Sequence, residues 1–213
     1  MERGQAIARI RKLIGQDLVP LAQELGVTVW RKDKSGRKKI NKGWAGHTIE
    51  RFLGLPLNSA QSPNFGSWEL KVVPLKRTRS ADIAVKETMA ITMLDPVEVM
   101  AKPFEQSHLY AKLRKIVIVA RVFEDKSERR SLVHSVGMFD LDDARIYAMV
   151  KADYELVRRA LREKGFEELT GAMGELIQPR TKGAGHGSTS RAFYARTQFV
   201  AYILGLSKSF SRQ

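Results

Sequence analysis

Eight residues, Ile116-Val117-Ile118-Val119-Ala120-Arg121-Val122-Phe123, constrain this chain more than any others. The run is β-branched and almost unbroken, with no alternation of apolar and polar positions. That pattern predicts a strand buried on both faces, at the centre of a sheet. Helical and extended patterns follow one another through the rest of the sequence. The order predicts an α/β or α+β fold with a mixed central sheet flanked by helices. At 213 residues the chain is long enough for one domain, or one domain with two lobes.

Around that strand the periodicity sets out the other elements. Ile7, Ile10, Leu13, Ile14, Leu18, Leu21 and Leu25 recur at helical spacing, and Pro20 predicts a break between two helices. Residues 31–42 are strongly basic around Ser35-Gly36 and read as a loop. A helix is expected over 43–53, stopped by Gly54 and Pro56. Strands are expected near 66–76, 88–94, 131–139 and 174–180. Pro96 and Pro103 bracket a short helix, and 105–114 reads as helical. A long helix is expected over 141–164, capped near Asp140 and ended by Gly165. After a loop over 181–190, a final helix is expected from Phe193 to Leu206, then a polar tail.

Within the 66–76 segment, Glu69-Leu70-Lys71 places an acid and an amine two residues apart. On a strand they share one face, while Leu70 and Val72 are expected to point into the core. An acid beside an amine suits metal-dependent phosphodiester hydrolysis. The carboxylate offers hard oxygen to a divalent cation, Mg²⁺ or Mn²⁺, and the amine positions or activates the attacking water. Pro63 lies a few residues upstream and is followed by Asn64, where this chemistry favours a second carboxylate. Asn64 can offer an amide oxygen but no charge. Three explanations stand side by side. Asn belongs here naturally, or Glu50 on the preceding helix carries the ligand role, or Asn replaces an original Asp. Glu50, taken alone, is an ordinary solvated helix residue; near Glu-x-Lys it becomes a third candidate ligand.

Lys and Arg outnumber Asp and Glu by 37 to 23, a net charge of +14. An excess of that size favours a polyanion, most simply nucleic acid. The cations cluster in loops: Arg31–Lys39, which holds Lys34 and Arg37, and the turn with Lys76, Arg77 and Arg79. Both fit backbone phosphates, which supply affinity and salt dependence without sequence information. The segment Arg180–Arg191 differs, since three glycines let its backbone approach DNA closely. Arg180, Lys182, His186, Ser188, Ser190 and Arg191 can reach base edges or phosphates from there. The hydroxyls of Ser188, Thr189 and Ser190 are equally suited to capping the helix expected next. The four histidines are scattered without paired spacing and predict no zinc site. The absence of cysteine fits a reducing cytoplasm. No signal-peptide pattern opens the sequence, and no apolar run is long enough to span a membrane.

Five segments in order resemble the MutH family of endonucleases, which includes mismatch-repair nickases and GATC-cutting type II restriction endonucleases. They are Lys42-Gly43-Trp44-Ala45-Gly46 followed by Glu50; Pro63-Asn64-Phe65 with Glu69-Leu70-Lys71; Ser107-His108 and Lys112-Leu113 before Ile116–Val119; Gly174–Lys182; and Arg191-Ala192-Phe193-Tyr194 followed by Arg196. The resemblance implies a restriction-endonuclease-like PD-(D/E)xK core whose two lobes form a cleft for duplex DNA. Roughly, 1–100 would form the catalytic lobe and 101–213 the recognition lobe. It places Glu50, Asn64, Glu69 and Lys71 on catalytic positions, with Glu50, Asn64 and Glu69 as metal ligands. It adds Lys42 and Arg196 to the DNA-binding set. The activity it implies is sequence-specific, Mg²⁺-dependent cleavage of double-stranded DNA leaving 5′-phosphates, foremost as a restriction enzyme. A strand-nicking repair endonuclease with a MutL-like partner is the alternative, and a catalytically disabled DNA-binding protein is the second. Double-strand cutting would call for a self-dimer on DNA or two visits. The setting it implies is a bacterial or archaeal cytoplasm, beside the nucleoid.

Overall fold

The computed structural model describes residues 1–55, 63, 66–182 and 190–210. Among them, helices and strands alternate as expected of an α/β chain. Two compact units are assembled from separate stretches. One comprises Met1–Ser59, Leu70–Lys86 and Val117–Gly137; the other comprises Ala60–Glu69, Glu87–Ile116 and Met138–Gln213.

The principal sheet, most of whose residues belong to the first unit, has the order β4-β3-β6-β7, from β3 (Glu69–Arg77), β4 (Ile83–Val85), β6 (Lys115–Val122) and β7 (Val133–Asp140). The apolar run identified from sequence is β6, and it is internal to the sheet. Its residues Ile116, Val117, Ile118, Val119 and Ala120 have no exposed surface. Burying each of the larger ones contributes about 1.5–3 kcal/mol, so this strand anchors the fold. The N-terminal helices are α1 (Arg3–Arg11) and α2 (Leu18–Glu24). The break between them falls before Asp17, not at Pro20. Asp17 caps α2 by accepting from Val19 N at 3.1 Å, and its carboxylate also accepts from Ser131 N at 2.8 Å. Pro20 therefore lies in the first turn, where its missing N–H has no intrahelical acceptor to serve.

The basic stretch after α2 is not a loop. It forms an antiparallel hairpin of β1 (Trp30–Lys32) and β2 (Lys38–Ile40), with Trp30 opposite Ile40 and Lys32 opposite Lys38. The Ser35-Gly36 turn expected from the sequence closes it. Asp33 accepts from Ser35 N and Arg37 N at 2.9 and 3.0 Å, and Gly36 adopts φ +76°. The expected helix at 43–53 is α3 (Trp44–Phe52), entered through Gly43 at φ +88°.

The second unit is built on a three-stranded antiparallel sheet, β5-β9-β8, of β5 (Met89–Leu94), β8 (Ile177–Thr181) and β9 (Arg191–Ala195). Here the structure corrects the expectation of a helix from Phe193. Arg191–Ala195 is a strand, and the last helix, α7, spans only Thr197–Ile203. Ala192, Phe193, Tyr194 and Ala195 pair with β5 on one side and β8 on the other. Ser190 thus precedes a strand, and a helix-capping role for it does not arise. The short helices α4 (Pro96–Ala101) and α5 (His108–Leu113) flank a 3₁₀ turn at Phe104–Gln106. The fully buried Phe104 ring meets Tyr110, Tyr147 and Tyr154 at centroid distances of 5.3, 5.6 and 5.6 Å.

The long helix α6 (Ala144–Lys164) starts at Asp143, whose carboxylate accepts from Arg145 N and Ile146 N, and stops at Gly165 with φ +88°. Its one buried acid is Asp153. That carboxylate accepts three backbone N–H groups, from Glu175, Leu176 and Ile177, at 2.7, 2.8 and 2.8 Å. Burial pushes its pKa up, against those three donors. The anchor fixes the entry to β8 and depends on Gly174 at φ +75°. A Cβ there would overlap the Ile177 carbonyl oxygen and press on the Asp153 carboxylate at 3.1 Å. Gly174→Ala is therefore expected to cost at least about 2 kcal/mol, from positive φ and the backbone clash together. The check is the denaturation midpoint, and an unshifted midpoint would refute the assignment. No helix among the described residues is long and apolar enough to cross a membrane.

Candidate active site

Glu69 opens β3 and is 1% exposed. Along this strand the burial differs from the expectation that Leu70 and Val72 face the core. Leu70 is buried, but Val72 is half-buried, and Val73 and Leu75 are the deeply buried residues. Glu69, Lys71, Val73 and Leu75 share one face by alternation. The acid and the amine thus stand on the better-covered face of an internal strand, with Lys71 half-buried.

Burying a carboxylate is costly unless a partner offsets the lost hydration. One such partner is Lys112, from α5, whose Nζ lies 3.2 Å from Glu69 Oε1. Lys112 is 8% exposed, on a helix whose other buried residues are Leu109 and Leu113. The sequence places Lys112 in a helix–strand segment and assigns it no role. Its one local signal is a lysine at i+3 from Leu109 and directly beside Leu113, on the buried side of an amphipathic turn. The result is a dehydrated carboxylate with one amine in hydrogen-bond contact and a second two residues along its own strand. A purely structural pair in such a place can often be exchanged for apolar side chains without loss of stability. Ionic groups retained there are well placed for charge handling.

Glu50 lies on α3, half-buried, between residues that fix that helix. Trp44 at its start is 1% exposed, and its indole N–H donates to Glu128 Oε2 at 2.8 Å. Thr48 Oγ1 donates to the Trp44 carbonyl at 2.8 Å. Lys42 is exposed just ahead of the helix. Asn64 lies outside the described residues, as do His186 and Ser188. Among the described residues there is no group of three or more His, Cys, Asp or Glu that could hold a metal ion.

The candidate DNA-binding residues fall into three sets. Lys34 and Arg37 are exposed at the hairpin turn, where Arg37 Nε sits 3.4 Å from Asp33. Lys76 and Arg77 are exposed at the end of β3, opposite Ala84 and Ile83, and Arg79 is exposed in the turn that follows. Around β8 and β9, a cavity of about 710 Å³ is lined by Gln178, Arg180, Thr181, Arg191, Glu167 and Gly171 among others. Arg180 donates to Thr88 Oγ1 at 3.2 Å. Arg191 stacks on Phe166, 5.2 Å from the ring centre, and donates to the carbonyls of Phe166 and Glu167. Lys182 and Ser190 are exposed where the cavity-lining strands end. Arg196 has a different setting. Its guanidinium donates to the carbonyls of Gly171, Met173 and Gly174 at 2.9, 2.9 and 3.1 Å, locking the turn ahead of β8.

The sequence model of the family described as "DNA mismatch repair enzyme MutH" matches residues 53–150. The DNA mismatch repair protein MutH of Vibrio cholerae (strain O395) is 27% identical over 219 residues, covering 94% of each chain. That of Pasteurella multocida is 28% identical over 225 residues, covering 96% of this chain and 92% of its own. Among solved structures, a restriction endonuclease MvaI–cognate DNA complex aligns with 87% of this chain and 95% of that one. Its TM-score is 0.37 and its identity 12%. The matched stretch contains β3, with Glu69 and Lys71, and Lys112 on α5, and the chain is similar to MutH-named mismatch repair proteins over nearly its whole length.

Proposed function

We propose that this chain is a divalent-metal-dependent endonuclease of duplex DNA that nicks one strand at a time. The carrying observation is the buried Glu69 carboxylate, held 3.2 Å from Lys112 Nζ with Lys71 two positions along the same face. Near-full-length similarity to proteins named for DNA mismatch repair supports nicking over restriction-type double-strand cutting. A net charge of +14 supports the polyanionic substrate.

The donor set suits Mg²⁺, which keeps several waters and is commonly bound through one or two carboxylates plus substrate phosphate. Glu69 would hold it, with Asn64 and Glu50 as the further ligands the sequence nominates. Bound there, the ion would supply Lewis acidity to the scissile phosphate and a more acidic water. The remaining work falls to the protein. Lys71 orients the attacking water and offsets charge growing on the phosphate. Lys112 holds the Glu69 carboxylate in one orientation for its ligand role. Arg180, Lys182 and Arg191 read the duplex; Lys34, Arg37, Lys42, Lys76, Arg77 and Arg79 grip its phosphates. The place of action is the cytoplasm, on chromosomal DNA, and a MutL-like partner would direct the nick.

Supercoiled plasmid tests this reading directly. With Mg²⁺ or Mn²⁺ and no partner protein, the chain is expected to yield nicked circles, and Glu69→Gln or Lys71→Met to lower the rate at least about 100-fold. Discrete linear fragments instead would assign restriction-type cutting, by a dimer on DNA or by two visits. Nicking that survives Glu69→Gln would remove this site from the chemistry.

A further inference from the structure

The first unit contains a second basic structure, set apart in sequence from every candidate DNA contact except the hairpin. The loop after β6, Asp125–Arg130, meets the β1–β2 hairpin across a cavity of about 230 Å³. Trp30, Lys38, Ile40, Lys126, Ser127 and Arg129 line it. Pockets for drug-sized ligands begin at about 300 Å³, so the occupant is a small group, not a whole ligand.

Three features make the arrangement a built one. First, the two walls are tied together: Trp30 Nε1 donates to the Ser127 carbonyl at 2.8 Å. Second, Lys38 Nζ lies over the Trp30 ring, 4.2 Å from its centre, which fixes a long and otherwise mobile cation at the cavity wall. Third, the acids of both walls face local donors. Asp33 accepts from Ser35 N and Arg37 N inside the hairpin turn. Asp125 accepts from the N–H and hydroxyl of Ser127, and those bonds hold its carboxyl below the ordinary value. Glu128, at φ +46°, turns inward onto Arg121 at 2.8 Å. Of the acids between Phe123 and Ser131, Glu128 is buried, while Glu124 and Asp125 are exposed beside the exposed Lys126, Arg129 and Arg130, a balance of three cations to two acids at the surface. The hairpin adds six Lys or Arg against one Asp between Arg31 and Lys39.

We propose that this cavity is a phosphodiester-binding site, in which Lys38, Lys126 and Arg129 grip one backbone phosphate of duplex DNA. The site rests on the DNA-cleaving reading above and extends it to a contact with no part in the chemistry. Its role is affinity and placement, and it reads no bases.

The test is duplex binding measured across salt concentrations for the intact chain, for Lys126→Ala/Arg129→Ala, and for Lys164→Ala, which removes an exposed cation of the other unit. Removing one phosphate contact should flatten the slope of log K against log salt by about 0.9. The double variant is expected to show about one such step and to bind at least about tenfold more weakly at physiological salt, while Lys164→Ala keeps the parent slope. Trp30→Phe, which keeps a ring but drops the bond to Ser127, should fall between them. A parent slope in the double variant overturns the inference and leaves these cations to an acidic protein surface. If binding weakens as expected but no variant cleaves, the phosphate site stands and the nuclease reading falls. If the intact chain does not bind duplex DNA at low salt, both fall.

Discussion

Asn64→Asp is expected to raise the rate of metal-dependent DNA cleavage by two orders of magnitude or more. The reason is charge. A hard dication is held by the number and charge of its oxygen ligands, and an amide oxygen contributes a dipole where a carboxylate contributes a full charge. At this site Glu69 is buried and already shares its carboxylate with Lys112 at 3.2 Å, so part of its charge is offset before any cation arrives. A second carboxylate would restore the negative potential that a divalent ion needs. Loss of a single preorganised electrostatic group typically costs about 10²–10³ in rate, and its recovery should return as much. Two readouts separate the explanations. If Asn64→Asp raises cleavage and also lowers the Mg²⁺ concentration for half-maximal rate, position 64 is a ligand. If neither changes while Glu50→Gln abolishes cleavage, the ligand role belongs to α3 and Asn64 is native to the site. If the chain and the variant both bind duplex specifically without cutting it, the chain is a DNA-binding protein.

What the sequence reveals of this molecule depends on which residues carry local signals. The β6 strand is readable because eight consecutive residues, nearly all apolar and mostly β-branched, permit little else. The pairing of Glu69 with Lys71 is readable because strand alternation is a local rule. Lys112 is not, since its closeness to Glu69 is a contact across 43 positions that no periodicity encodes. The hairpin at 30–40 reads as a loop because its strands are three residues each and carry cations where a strand would show apolar alternation. Only Trp30 and Ile40 signal the side that packs. Phe193–Ala195 reads as helix because its apolar residues run directly into a true helix, α7, and periodicity over three residues cannot separate the two. Pairing with β5 and β8 decides it, and β5 lies far away in sequence. Local rules thus recover most of the elements and two of the three members of the acid–amine cluster; the third, Lys112, joins it only through tertiary contact.

Glu128→Ala is expected to destabilise the protein by about 3–5 kcal/mol, more than Gly174→Ala. Nothing in the sequence singles Glu128 out, yet it is 7% exposed and accepts three hydrogen bonds. Two come from Arg121, at 2.8 and 3.0 Å, and the third from the Trp44 indole at 2.8 Å. The Arg121 guanidinium lies 5.2 Å from the centre of the Trp44 ring and also donates to Ser131 Oγ at 2.8 Å. Removing the carboxylate leaves a guanidinium, 8% exposed and on the central strand, without its counter-charge. That penalty, and not the worth of the pair itself, sets the size of the effect. The double variant Glu128→Met/Arg121→Met should therefore be less destabilised than Glu128→Ala alone, which a double-mutant cycle in urea would show. The same carboxylate joins three parts of the first unit: β6 through Arg121, the start of α3 through Trp44, and the basic loop that presents Lys126 and Arg129. Its loss should loosen the helix bearing Glu50 and the phosphate site together, so DNA affinity should drop even where the protein stays folded. Full affinity retained in a destabilised Glu128→Ala protein would show that the basic loop is positioned by the hairpin contact at Trp30 alone.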